Sequence, residues 1–169
     1  MRETLHYLSQ IRELGVIDDY AVGDAMAATF YIEPITTFDL DVFVMLPQEK
    51  DSPLFSLAPL YEHLRAAGFQ EEKECVIING VPVQFLPAYN PLTEEALEQA
   101  VEMDYDDVKV RVFSAEHLVA IALQTGRSKD KARVHSFVES GILRQEKLLD
   151  ILRHHGLEAK WRHLTTNQP

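Results

Sequence analysis

Residues 36–45 read TTFDLDVFVM, a run of β-branched and aromatic residues in which every second position from Leu40 to Val44 is aliphatic. A period of two cannot be accommodated on a helix, so this stretch demands a strand packed on a core and a sheet to hold it. Leu40, Val42 and Val44 then face the core, and Asp39 and Asp41 project together from the opposite face. Two carboxylates held side by side repel, more so when desolvated, and a strand keeps them mainly where a cation or a shared proton neutralises the pair. The plainer alternative is a strand end at the solvent edge with both carboxylates hydrated. The surrounding sequence decides between the two.

Upstream, Leu5, Leu8 and Ile11 share one helical stripe that ends at Gly15, and residues 20–22 form a short strand running straight into Gly23-Asp24. The segment AMAATFYI has the composition of a short helix, with Asp24 as its N-cap and Pro34 as its end. Residues 47–53 read as a polar loop. Leu54, Leu57, Leu60, Tyr61 and Leu64 mark the next helix, closed by Gly68. In CVIINGVPVQFL the Asn79-Gly80 pair suits a type I′ turn between two alternating runs, and Pro82 puts part of its strand at an edge or beside a bulge. A helix is expected from residue 93 to about 101, then a strand in which Val108, Val110 and Val112 alternate with Lys109 and Arg111.

From Ser114 onward the pattern is helical. Ser114 caps a helix to about Gln124, Ser128 a second to about Glu139, and a third spans residues 144–155 before Gly156. The expected fold class is therefore α+β. A small mixed sheet of four or five strands with flanking helices occupies residues 1–113, and a C-terminal bundle of three short helices occupies residues 114–169 and packs on that core as one compact unit. Residues 165–169 read as a disordered tail.

The 169 residues, 46% of them apolar, suffice for such a core. One cysteine, Cys75, excludes an internal disulfide framework and fits a reducing compartment. No apolar leader and no run of eighteen apolar residues occurs, so a cytoplasmic protein with no membrane partner is expected. Sixteen Lys and Arg against 27 Asp and Glu, a formal net charge of −11, argue against a broad nucleic-acid surface, although residues 127–133 (RSKDKAR) could form a local basic site.

A glycine turn that opens a helix beside two carboxylates has a chemical logic. The helix start offers N–H groups and positive dipole to a phosphate, and the carboxylates suit a hard divalent cation bridging that phosphate. The stretch YAVGDAMAATFYIEPITTFDLDVFV resembles the first motif of the nucleotidyltransferase superfamily, in which a Gly-Gly or Gly-Ser turn precedes a helix and an Asp-x-Asp strand. With AEHLVAIALQTGRSKDKARV downstream, residues 18–164 are similar to a bacterial branch related to the AbiEii-like toxins of type IV toxin-antitoxin systems.

The resemblance implies that Asp39 and Asp41 bind Mg²⁺ and act as the catalytic carboxylates. It also implies that Gly23, Asp24, Thr37, Gln84, Arg127 and Lys129 contact a nucleoside triphosphate, whose nucleoside monophosphate passes to an unknown protein, RNA or small-molecule acceptor. An antitoxin-like protein is the partner implied by the branch.

Four positions depart from the family pattern. Asp24 stands where the turn has its second Gly or Ser, Gln84 where a third carboxylate is common, Ala122 where many relatives have lysine, and Arg133 where a Lys-Asp-x-x-Asp pattern has its second aspartate. An alternative follows: a catalytically impaired protein that keeps the fold for binding or regulation. Arg127, Lys129 and Arg133 could restore positive charge. Other constellations read as structural. His154 and His155, adjacent on a helix, should point to different sides and match no zinc motif. Ser114, Glu116 and His117 lie in one helical turn, with Ser114 as a cap. Cys75 and Trp161 read as packing residues, and Glu71, Glu72 and Glu74 as a solvated edge.

Overall fold

The alternating segment does form a strand, at the centre of a mixed sheet. The computed structural model describes residues 1–33, 37, 39–47 and 56–166. Helix α1 (Arg2–Glu13) buries Leu5, Leu8 and Ile11, and β1 (Asp19–Val22) leads through Gly23 into α2 (Asp24–Ala28). Strand β2 (Leu40–Met45) follows, with Leu40, Val42 and Val44 at most 1% exposed. Next come α3 (Ala58–Ala66), β3 (Gln70–Glu72), β4 (Cys75–Ile78), β5 (Val81–Pro87) and α4 (Pro91–Glu98). The β6–β7 hairpin (Val101–Tyr105 and Val108–Val112) closes the sheet, and α5 (Ala115–Thr125), α6 (Ser128–Ser140), α7 (Gln145–His154) and α8 (Glu158–Thr166) complete the chain.

The seven strands run in the order β3-β4-β5-β2-β1-β7-β6. β2 lies antiparallel to β1, with Val22 opposite Val42, and parallel to β5, with Asp41 opposite Gln84. β1 meets β7 in parallel at Val22 and Val112. The turn between β4 and β5 has positive φ at Asn79 (50°) and Gly80 (81°), as a type I′ turn needs. Where β5 holds Pro82, its register partner is Ile77 of β4, and pairing with β2 starts only at Val83. Arg111 ties the far side of the sheet together: its guanidinium donates to Asp19 Oδ2 and to the carbonyls of Tyr20 and Leu97.

Several sequence expectations are corrected. Among the described residues the sheet has seven strands, because the acid-rich pieces QEE and VEMDY also pair, and their exposed or half-exposed side chains hide the signal. The helix expected at 93–101 starts earlier, since Asn90 caps α4 through a reciprocal bond pair with Thr93, and it stops at Glu98 where β6 follows. Helix α2 is only five residues long, and the bundle beyond Ser114 has four helices, because residues 158–166 add α8. Thr165, expected in a tail, donates to the Trp161 carbonyl within α8. Ser128 is the first residue of α6 and not its cap; Arg127 precedes it, and Asp130 accepts the Arg127 N–H. Ser114 does cap α5, and Trp161 packs half-buried on the core. The start of the helix expected at Leu54, and Pro34, lie outside the described residues.

Candidate functional site

Gly23 holds the site together because it leaves room. Its N–H donates to the Asp41 carbonyl at 2.9 Å, drawing the β1–α2 turn against the start of β2. A Cβ there would stand 2.5 Å and 2.7 Å from ring atoms of Phe43, a ring that stacks on Phe113 at 4.8 Å between centroids. Asp24 follows with φ +45°, a left-handed conformation that glycine adopts freely and aspartate tolerates better than most residues. The expected N-cap role of Asp24 is overturned: Gly23 occupies the cap position without a side-chain cap bond, and the Asp24 carboxylate turns toward α6.

There it meets three cations. Arg133, 7% exposed, donates to Asp24 Oδ1, Lys129 Nζ lies 3.7 Å from Oδ2, and Arg127 lies 3.9 Å from Oδ1. Burial alone would raise the Asp24 pKa, but the Arg133 hydrogen bond and the charges of all three cations outweigh it and hold the carboxyl below its usual range. Asp41 goes the other way. Burial, the charges of Asp24 and Asp39, and a hydrogen bond with Asp24 push its pKa up to about 7, against a weaker pull from Lys129. Asp41 therefore keeps its proton well above the usual carboxylate range, while Asp24 beside it stays ionised. Asp39 is held from behind by Thr37, whose hydroxyl donates to its backbone carbonyl at 3.1 Å and to Oδ1 at 3.2 Å.

These groups open on a cleft of about 400 Å³. The sheet contributes Asp41, Phe43, Gln84 and Leu86, α4 and its cap contribute Asn90 and Thr93, α5 contributes Ala122, and α6 contributes Lys129 and Arg133. Of the residues singled out from sequence, Asp24, Asp39, Asp41, Gln84, Arg127 and Lys129 all line this one cleft. Gly23 and Thr37 are not among the lining residues: Gly23 acts through the Phe43 ring and the Asp41 carbonyl, and Thr37 through Asp39. Gln84 stands beside Asp41 in register, with its amide 3.4 Å from Glu74 Oε2. Asp39 and Asp41, two residues apart on the same strand edge, offer hard carboxylate oxygens to this cleft, and the repulsion between them is what a divalent cation such as Mg²⁺ would relieve. Asn90 and Thr93 were not legible as cleft residues, because the capping box that places them is a local signal with no chemical signature of its own.

Two other clusters differ from expectation. His117 Nδ1 lies 2.8 Å from Ser114 Oγ, but its Nε2 meets Glu95 Oε1 at 3.3 Å; its carboxylate partner is Glu95 and not Glu116. His117 is fully buried and Ser114 2% exposed, so the serine hydroxyl and the imidazole are sealed from any substrate. Glu116 instead accepts from the Arg144 N–H and guanidinium, fixing the start of α7. The adjacent His154 and His155 do not point to different sides. Helix α7 ends at His154, so both rings escape helical spacing and meet the same oxygen, Glu95 Oε2, at 2.9 Å and 2.8 Å. Cys75, half-buried at the start of β4, has its thiol pushed up by burial and by the charges of Asp39, Asp41 and Glu74, which leaves it protonated and unreactive.

No protein-family model matches the chain, and no curated protein matches it. Solved structures do. An antigenic nucleotidyltransferase-like protein from Paracoccidioides brasiliensis superposes with a TM-score of 0.55 and 13% identity, covering 81% of this chain and 72% of that one. The antibiotic-resistance factor ANT(2'')-Ia superposes with a TM-score of 0.51 and 16% identity over 95% of this chain and 96% of that one. A putative nucleotidyltransferase from Thermotoga maritima aligns at 0.44 and 15% identity over 79% and 93%. The fold is nucleotidyltransferase-like, a mixed sheet flanked by helices. Among the described residues no helix is long and apolar enough to cross a membrane.

Proposed function

We propose that this chain is a Mg²⁺-dependent nucleotidyltransferase that moves a nucleoside monophosphate from a nucleoside triphosphate to a hydroxyl-bearing acceptor. The observation that carries this reading is the convergence of Asp24, Asp39 and Asp41 with Arg127, Lys129 and Arg133 on one cleft of a nucleotidyltransferase-like fold. Mg²⁺ held by Asp39 and Asp41 would supply charge neutralisation at the α-phosphate and at the departing pyrophosphate. Lys129 and Arg127, more than half exposed at the cleft mouth, suit the outer phosphates. The acceptor oxygen forms a bond to the α-phosphorus as the bond from that phosphorus to the β-phosphate bridge breaks. Its proton passes to Asp24 once the phosphates have drawn Arg127, Lys129 and Arg133 off that carboxylate and restored its basicity, a part that neutral Gln84 cannot play.

The branch resemblance supports a finer role as the toxin half of a toxin-antitoxin pair with an antitoxin-like partner. A second reading, a fold retained for binding or regulation, is favoured by one feature: Arg133 is spent on Asp24 while Gln84 leaves the sheet one carboxylate short. Labelled nucleoside triphosphates incubated with Mg²⁺, cell lysate and either native protein or Asp39→Asn separate the two. Label incorporation that falls at least about a hundredfold in the variant supports transfer, on the scale expected when a charge-stabilising group is removed. Incorporation that survives the substitution refutes the carboxylate mechanism, and Mg²⁺-nucleotide binding without any incorporation selects the second reading.

A further inference from the structure

We propose that Glu95, His154 and His155 form a second metal site, separate from the acidic cleft, that takes Zn²⁺ or a similar borderline divalent ion. Glu95 lies on α4, His154 is the last residue of α7 and His155 its C-cap, so the ligands come from two elements 59 and 60 residues apart in the chain. One donor atom from each residue lies within 4.8 Å of the other two. His154 Nδ1 and His155 Nε2 both reach Glu95 Oε2, and the two rings lie side by side at 4.6 Å between centroids. Around a tetrahedral zinc with bonds of about 2.0–2.1 Å, donor atoms sit roughly 3.3 Å apart, so a shift of the two imidazoles away from Glu95 Oε2 by about half an ångström admits the ion. Two imidazole nitrogens with one carboxylate oxygen select zinc, nickel or copper over Mg²⁺, which prefers oxygen.

The surroundings are those of a ligand set. His117 meets the other Glu95 oxygen at 3.3 Å and is itself held by Ser114, so the carboxylate is oriented from behind, as outer partners of metal ligands do. Glu95 and His155 are largely buried, whereas His154 is 73% exposed on its side chain and faces a depression of about 490 Å³ that also holds Glu146, Lys147 and Asp150. Water can complete the coordination from that side. Lys147, the cation among the described residues lining this depression, is directed at Ser114 Oγ and Glu116. Because α4 also supplies Thr93 to the cleft, an ion at this site would clamp one cleft wall to the C-terminal helices.

Full-length protein saturated with Mg²⁺ is titrated with Zn²⁺ by calorimetry and with Co²⁺ by visible absorption, as native chain, as the Asp39→Asn/Asp41→Asn double variant, and as His154→Ala. The exposure of His154 lets that variant fold, which circular dichroism verifies. The expected result is one equivalent of Zn²⁺ per chain with a tetrahedral Co²⁺ spectrum, unchanged in the double aspartate variant. His154→Ala should weaken Zn²⁺ binding by more than about tenfold, the least that loss of even an outer partner costs. Absence of saturable Zn²⁺ binding, equal affinity in His154→Ala, or loss of binding in the aspartate variant would each overturn the site.

Discussion

At the scale of single residues, two buried acids pull stability in opposite directions as pH changes. Asp41 has its folded pKa raised from 3.8 to about 7, so the native state holds a proton that the unfolded chain has already lost. Stability from this group is full below about pH 4 and declines as pH rises to about 7. Asp41→Asn should therefore stabilise the metal-free protein at pH 8 by about 2 kcal/mol, measured by urea unfolding, and abolish that part of the pH dependence. Glu116 shows the reverse sign. Burial raises its pKa, but the hydrogen bonds and charge of Arg144 outweigh burial and bring it down from 4.5 to about 2. Its contribution is present above about pH 4.5 and lost as pH falls toward 2. Glu116→Gln should cost about 2–3 kcal/mol at pH 7 and little at pH 2; an equal cost at both would remove Arg144 as the cause.

At the scale of elements, the β1–α2 turn is the place where, among the described glycines, an added Cβ meets its neighbours most closely. A methyl group at Gly23 would collide with the Phe43 ring, which is itself backed by Phe113, so Gly23→Ala should destabilise the protein by about 1–3 kcal/mol. The same variant should displace Asp41 through the lost approach of the Gly23 N–H, giving a weaker Mg²⁺-nucleotide affinity in calorimetry than its stability loss alone explains. This joint was legible in the sequence, because a strand, a glycine and an acidic strand are local patterns with local causes. What could not be read were the partners across the chain. Asp24 and Arg133 are 109 residues apart, and nothing near Asp24 distinguishes a capping aspartate from one drawn to a distant guanidinium. The histidine pair was misread for a related reason: helical spacing was extended one residue past the point where α7 stops.

At the scale of the whole molecule, a chain with a net charge of −11 gathers three cations, from α6 and the residue that precedes it, around the single carboxylate of the β1–α2 turn. That arrangement has a consequence in thermodynamic linkage. Any triphosphate that recruits Arg133, Lys129 or Arg127 must draw them away from Asp24, so the observed affinity is the difference between two competing associations of the same cations. Asp24→Asn removes the competitor. It should tighten nucleoside triphosphate binding by about tenfold, some 1.4 kcal/mol, in calorimetry, while slowing transfer through loss of the anionic carboxylate. Weaker binding in that variant would mean that Asp24 presents the cations to the ligand and does not contend for them. The bridge between α2 and α6 thus acts as a built-in rival ligand, an intramolecular anion that the substrate has to displace before the cleft can close around it.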